Sequence, residues 1–330
     1  MTENNSLVDQ LQNMIRTIIT VGALSLFSGC HAQPDFSLEK QEVLCENSGK
    51  ISVSREDTNY IAEIGGSDWR VVFHSVKDAK GGNSKYLVNF EGGPKAVSAD
   101  RRIRKRLETY MAGPSDKTSI FTVELSTSGS PKSSKLLSTY GLSAFDCDAK
   151  LVSTLLNEIK LAEPDASVIF MATSFSGLLA MKLYAQNDVD GLILLVPWIN
   201  FVDSKYVANL GKSSIVAGRP INTTTPEFRE FYHNYFKKYM KIDETQKTDP
   251  GRQWMADARD MFAQAENLEN VMVIQVEHEN RYDKDKAAKY FSSIGVGCVI
   301  EIESLIHEAV TAHPKTISSI QQFLANGTCQ

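Results

Sequence analysis

Ala166-Ser167-Val168-Ile169-Phe170-Met171-Ala172-Thr173-Ser174-Phe175-Ser176-Gly177 decides the reading of this 330-residue chain. An apolar run, 166–171, feeds a short stretch of small and hydroxyl residues, and a helical pattern follows over 178–185. Strand, small residue, any residue, serine, any residue, small residue, helix is the layout of a sharp turn that holds a serine hydroxyl out above the end of a sheet. The bend is so tight that the residues two before and two after the serine can carry almost no side chain. Ala172 and Ser176 meet that need, although glycine is the commoner choice at both. Were Ser176 the exposed serine instead, Leu178 would fill a position that must be small. Ser174 is therefore the expected nucleophile.

Outward from this turn the pattern is that of an α/β chain. Residues 50–53, 60–64 and 69–76 are rich in β-branched and aromatic side chains and read as antiparallel opening strands. The run 85–90 is apolar and ends in Glu91-Gly92-Gly93-Pro94. A helix is expected over 97–111, with Ile103, Leu107 and Met111 on one face, then a strand over 119–125. Phe145, Leu151, Leu155, Leu156 and Ile159 give 142–161 a buried helical stripe. Further strands are expected at 191–197, 270–276 and 296–302, and helices at 284–292 and 314–325. Strands apolar throughout, alternating with helices, imply a parallel sheet covered on both faces. The fold class expected is α/β: a mostly parallel eight-stranded sheet flanked by helices. Residues 198–266 break the rhythm with aromatic and basic residues in a helical pattern, and read as a cap inserted after strand 6. Its aromatics (Phe228, Phe231, Tyr232, Tyr235, Phe236, Tyr239) either line a groove or form the cap's own core.

Composition fits a globular domain with a substantial core, at 42% hydrophobic and 9% aromatic residues. A formal charge of −5 gives no reason to expect a nucleic-acid partner. No paired Cys-x-x-Cys or other metal-ligand spacing is present. The basic run Arg101-Arg102-Ile103-Arg104-Lys105-Arg106 reads as a solvated helix face, with contact to anionic lipid heads as the alternative.

Near the start, Arg16 precedes an apolar stretch, 17–27, that ends in Phe27-Ser28-Gly29-Cys30. This resembles the lipobox of bacterial lipoproteins, an ordinary secretory peptide or short anchor being the alternative. The resemblance implies a signal peptide over 1–29, lipid attached to Cys30, and a tether over 30–49 ahead of the domain at 50–330. Residues 1–13 hold Glu3 and Asp9 and no base, so Met14 is the expected start. His31 rather than Asp after the cysteine points, by the same resemblance, to the outer membrane of a bacterial envelope. Cys45, Cys147, Cys298 and Cys329 then permit two disulfides in three pairings, or free thiols.

A serine hydroxyl needs a base within hydrogen-bond reach, and the base needs an acid to orient it. The glycine loop Glu91-Gly92-Gly93-Pro94, the turn at Ser174, the strand-and-acid stretch 271–283 and Ile302-Glu303-Ser304-Leu305-Ile306-His307-Glu308 follow one another in order. In this order the chain resembles the α/β-hydrolase superfamily over 50–330. The last stretch is most similar to the lysophospholipase and monoacylglycerol lipase branch. The resemblance implies the chain order serine, acid, histidine.

Of the six histidines, His307 alone follows the last expected strand and precedes the final helix, five residues beyond the strand; His313 sits at the helix start. The acid is expected at Glu279, with Asp283 and then Glu277 as alternatives. The resemblance places the oxyanion donors at Phe175, next after the nucleophile, and in the loop holding Gly92 and Gly93. It implies no cofactor and no metal, and a lipid-like ester as substrate of a membrane-tethered enzyme. A peptidase of the same fold, suggested by Gly-Gly-Pro, and a non-catalytic binding lipoprotein are the rival readings.

Overall fold

The centre of the sheet is made by the most apolar runs. The computed structural model describes residues 45, 49–78, 85–92, 101–110, 118–127, 136–137, 139–199, 214–216, 219–221, 250–279 and 283–327, all within the unit Gln41–Gln330. The expected signal peptide, most of the tether, Cys30, Gly93 and the greater part of the expected cap lie outside the described residues.

Strand β2 (Asn59–Ile64) pairs antiparallel with β1 (Ile51–Glu56) on one side and with β3 (Arg70–Lys77) on the other. Then come β4 (Lys85–Phe90), helix α1 (Arg101–Tyr110) and β5 (Thr118–Glu124). Helix α2 (Ala144–Ala162) leads to β6 (Ser167–Thr173), α3 (Ser176–Gln186) and β7 (Gly191–Leu195). A small separate pair, β8 (Ser214–Val216) and β9 (Arg219–Ile221), precedes α4 (Pro250–Ala263). The chain finishes with β10 (Val271–His278), α5 (Lys284–Ser293), β11 (Cys298–Ile306) and α6 (Pro314–Asn326).

Among the described residues the main sheet has nine strands in the order β1-β2-β3-β5-β4-β6-β7-β10-β11, not the eight expected. All nine fall on runs that read as strands, and the outermost, β1, is one arm of a hairpin closed by a two-residue turn at Asp57 and Thr58. Asp57 takes φ +53°, a conformation that aspartate tolerates better than most residues. From β5 to β11 all neighbours are parallel. Every residue of β7 is buried, as are all but the ends of β6, so both faces are covered. The strand following β4 in the chain lies on one side of it and β6 lies on the other. The order thus reverses at β4, and the crevice beyond its carboxyl end is where open α/β sheets place their sites.

Local chemistry sets the helix ends. Asp283 accepts from the Lys286 amide at the start of α5. Pro314 opens α6, and Gly327, at φ +74°, closes it. On α1 the third buried apolar residue is Tyr110, beside Ile103 and Leu107; Met111 lies outside the described residues. Two further corrections emerge. Within 198–266 the described part includes the β8–β9 pair as well as helix, in keeping with the β-branched Ile215, Val216 and Ile221. Strand β11 also runs on to Ile306, past the expected end at 302. As an edge strand it leaves the polar Glu301 and Glu303 exposed, and an irregularity at Ser304 (φ +55°) lets it continue.

Of the three possible cysteine pairings, the one that joins Cys45 and Cys147 is present, with Cα atoms 5.5 Å apart. It ties the segment ahead of β1 to α2. Cys298 is also disulfide-bonded.

Candidate active site

The turn between β6 and α3 begins with a conformational cost. Ser174 takes φ +56°, which is unfavourable for a residue with a side chain. The surroundings hold it there. Its amide donates to the Leu195 carbonyl at 2.8 Å, and its own carbonyl accepts from the amides of Gly177 at 3.0 Å and Trp198 at 3.1 Å. Ala172 and Ser176 are buried, as the sharpness of the bend requires. The bend has a third small position beyond the two expected: a Cβ on Gly177 would stand 2.8 Å from Cβ of Pro197. Glycine there lets the first turn of α3 pack against the end of β7.

The result is that Thr173 and Ser174 are only partly buried while Ala172, Phe175 and Ser176 are buried. His307 directly follows β11 and opens a 3-10 turn, His307–Ala312, rather than sitting in a five-residue loop. Its Nε2 lies 2.9 Å from the Ser174 Oγ. Its Nδ1 lies 2.9 Å from both carboxylate oxygens of Glu279, just past the end of β10. The Glu279 side chain is wholly shielded from solvent, and that of His307 is 9% exposed. An ionised carboxylate can only accept, so Nδ1 carries the proton and the Nε2 lone pair faces the serine hydroxyl.

The rival acids are engaged elsewhere. Glu277 accepts from the Ser304 amide at 2.7 Å. Asp283 caps α5 and lies 3.3 Å from the Lys286 ammonium. His313 caps α6 by accepting from the Lys315 amide, and His74 pairs with Glu124 at 2.8 Å.

Gly92 leaves the end of β4 directly beside the serine. A Cβ built on it would come 2.9 Å from the Thr173 carbonyl oxygen and 3.0 Å from the Ser174 Cβ, so only glycine fits. Phe175 follows Ser174 at the mouth of α3, where the helix dipole favours negative charge. Trp198, after β7, places its ring 6.3 Å from His307 and 6.2 Å from Phe175, and Phe175 lies 5.3 Å from Phe145.

Three groups escape a reading of the sequence. Arg106, in the run that reads as a solvated face, pairs with Glu91; its spacing from Ile103 and Tyr110 on α1 is the signal that could have shown it. Ser176 donates its hydroxyl hydrogen bond to the Glu91 carbonyl oxygen. Asp148, buried on α2, accepts from the amides of Ser126 at 2.8 Å and Thr127 at 3.3 Å, and from the Thr127 hydroxyl at 2.6 Å. Burial pushes its carboxyl up to about 6, against the lowering effect of those bonds. Among the described residues no cluster of three or more His, Cys, Asp or Glu side chains could hold a metal ion.

No protein-family model matches the chain, and no curated protein sequence matches it. Solved structures do. A carboxyl esterase 2 from the mycorrhizal fungus Tuber melanosporum superposes with a TM-score of 0.53 at 11% identity, over 91% of this chain and 89% of its own. A monoacylglycerol lipase from Paleococcus ferrophilus gives 0.50 at 12%, over 79% and 99%. The haloalkane dehalogenase DbeA from Bradyrhizobium elkani gives 0.50 at 15%, over 84% and 98%. The chain has the α/β-hydrolase fold. At these identities the likeness is one of architecture. In this α/β-hydrolase fold Gly92, Ser174, Glu279 and His307 all follow the carboxyl ends of parallel strands.

Proposed function

We propose that the chain is a serine hydrolase that cleaves carboxylic esters through a Ser174–His307–Glu279 triad. The observation that carries this reading is the hydrogen-bonded line from Ser174 Oγ through both ring nitrogens of His307 to the shielded Glu279 carboxylate.

The chemistry follows from that line. Ser174 Oγ attacks the ester carbonyl carbon while its proton passes to His307 Nε2. The carbonyl π electrons move onto oxygen, and the amide of Phe175, with the backbone at Gly92, supports the oxyanion. The intermediate collapses, the carbon–alkoxy bond breaks, and His307 returns the proton to the departing alcohol. Water, deprotonated by His307, then attacks the acyl carbon; the bond from that carbon to Ser174 Oγ breaks, the acid leaves, and His307 returns the proton to Ser174 Oγ. Glu279 holds the imidazole tautomer and offsets the charge on the imidazolium.

The substrate class is a lipid-like ester, such as a lysophospholipid or monoacylglycerol. Trp198 and Phe175 beside the reacting groups supply apolar surface for an acyl chain, and a monoacylglycerol lipase is among the proteins of like fold. Phe27-Ser28-Gly29-Cys30 supports attachment of the chain to a membrane through lipidated Cys30. The Cys45–Cys147 bridge suits an exported protein.

The test uses a fluorophosphonate probe and a panel of p-nitrophenyl esters, lysophospholipids, monoacylglycerols and amino-acid anilides. Parent protein should label and hydrolyse esters, and Ser174→Ala should do neither. Labelling that survives in the Ser174 variant would refute the assignment. Anilide turnover above ester turnover would replace the esterase by a peptidase.

A further inference from the structure

We propose that Ser176, acting through Glu91 and Arg106, is a positioning residue that fixes the Glu91–Gly92 strap and with it the oxyanion site beside Ser174. The proposal rests on the serine-hydrolase reading and deepens it.

Space alone does not account for serine at position 176. Alanine fills the matching position on the other side of the nucleophile, at Ala172, and would satisfy the same bend. What serine adds is a hydroxyl, and that hydroxyl is buried and donates to the Glu91 backbone carbonyl. Glu91 is the first residue beyond β4 and Gly92 is the next. One hydrogen bond therefore ties the strap to the same turn that presents Ser174.

The strap is held from its other side as well. The Glu91 carboxylate accepts from the Arg106 guanidinium and, at 2.7 Å, from the side-chain amide of Asn89, which is fully buried. Arg106 stands on α1, which Ile103, Leu107 and Tyr110 anchor in the core. One turn beyond Arg106, the Tyr110 hydroxyl donates to the Thr311 carbonyl at 2.5 Å, in the turn that begins with His307. Burial pushes this phenol above its usual range, so it stays a neutral donor. The strap is thus bound on one side to the nucleophile's helix and on the other to a helix braced against the histidine's turn.

Oxyanion donors act only when placed within a few tenths of an ångström before reaction. The triad bonds join Ser174, His307 and Glu279 and include no contact to Gly92. Ser176, Glu91 and Arg106 supply that constraint. Removing the Ser176 hydroxyl also leaves a carbonyl without its partner, and the strap is then free to shift toward one.

The experiment compares parent, Ser176→Ala, Arg106→Met, Arg106→Lys and the Ser176→Ala/Arg106→Met double variant. Each is assayed with a p-nitrophenyl ester and a fluorophosphonate at 25 °C, beside thermal unfolding. Ser176→Ala should lower kcat about 10- to 100-fold, with KM within about threefold, and should still label at Ser174, more slowly by a similar factor. Arg106→Lys should recover most of what Arg106→Met loses. The double variant should fall close to the worse single one, as for parts of one unit. A merely structural role would lower the unfolding temperature and leave kcat in place. A Ser176→Ala kcat within twofold of parent, with Ser174→Ala inactive, overturns this proposal and leaves the serine-hydrolase reading standing. If Ser176→Ala does not fold, an Arg106→Met kcat equal to parent overturns it instead. A parent that neither labels nor hydrolyses any ester defeats the hydrolase reading, and this proposal with it.

Discussion

Gly92 and Ser174 touch so closely that no side chain fits between them: a Cβ on Gly92 would stand 3.0 Å from that of Ser174. The two residues are far apart in sequence and arrive from adjacent parallel strands, β4 and β6. Gly92→Ala places that carbon also 2.9 Å from the Thr173 carbonyl oxygen, which is backbone and cannot swing away. The strap must shift instead, and kcat/KM for ester hydrolysis should fall about 100-fold, the scale of losing one oxyanion donor. Steady-state kinetics beside thermal unfolding checks this. A variant with unchanged kcat/KM would show that the strap does no electrostatic work.

Glu279 and Asp283 both follow β10; Glu279 is hydrogen-bonded to His307, and Asp283 caps α5. Glu279→Gln keeps the shape but presents a neutral amide to His307 Nδ1, and kcat should fall by about 10³–10⁴, as tautomer and imidazolium are both disfavoured. Asp283→Asn removes a negative charge from a helix start and a partner of Lys286, and should cost at most about 1 kcal/mol of stability. Its kcat should match that of the parent. The reverse outcome in the same ester assay would move the acid to position 283.

Asp148 gives the protein a pH signature. Its carboxyl sits at about 6 in the folded state against an ordinary 3.8, because burial penalises the charge. Protonation therefore favours folding: the contribution is fully present below about pH 4 and is lost as pH rises through about 6. The difference corresponds to about 3 kcal/mol. In Asp148→Asn the amide oxygen keeps an acceptor for the Ser126 N–H, and the amide nitrogen can donate to the Thr127 hydroxyl oxygen. Urea unfolding of parent and Asp148→Asn at pH 4, 5, 6 and 7 should show the parent losing about 2–3 kcal/mol relative to the variant across that window. Parallel curves would mean that Asp148 is ionised throughout.

The legible parts of this chain are those written in short-range pattern. The runs at β4, β6 and β7 are apolar on both faces because they lie at the centre of the sheet, and they announce themselves without any knowledge of their partners. Ser174 is legible because a sharp turn demands small neighbours within two residues. His307 is legible by order, as the histidine that follows the last strand and precedes the final helix. The end of β11 is hidden because an edge strand faces solvent on one side and tolerates Glu303 and Ser304, which look like a loop. The outer strand of the β1–β2 hairpin is legible only in part for a similar reason: 50–53 reads as a strand, while β1 runs on to Glu56 with most of its residues exposed. The role of Arg106 is hidden because charge pattern alone does not show that a carboxylate awaits it.

By itself, then, the sequence determined the alternation of strands and helices, the bend that lifts Ser174, and the short set of acids and histidines that could serve it. Burial and turn geometry act on neighbouring residues, so their traces are local. Only the tertiary structure decided that Glu279 rather than Asp283 faces His307, that Cys45 joins Cys147, and that Ser176 bonds to Glu91. Those choices depend on distances between strand ends brought together by the order of the sheet. Such contacts span 28 to 102 residues of chain, and no periodicity within a single segment encodes them.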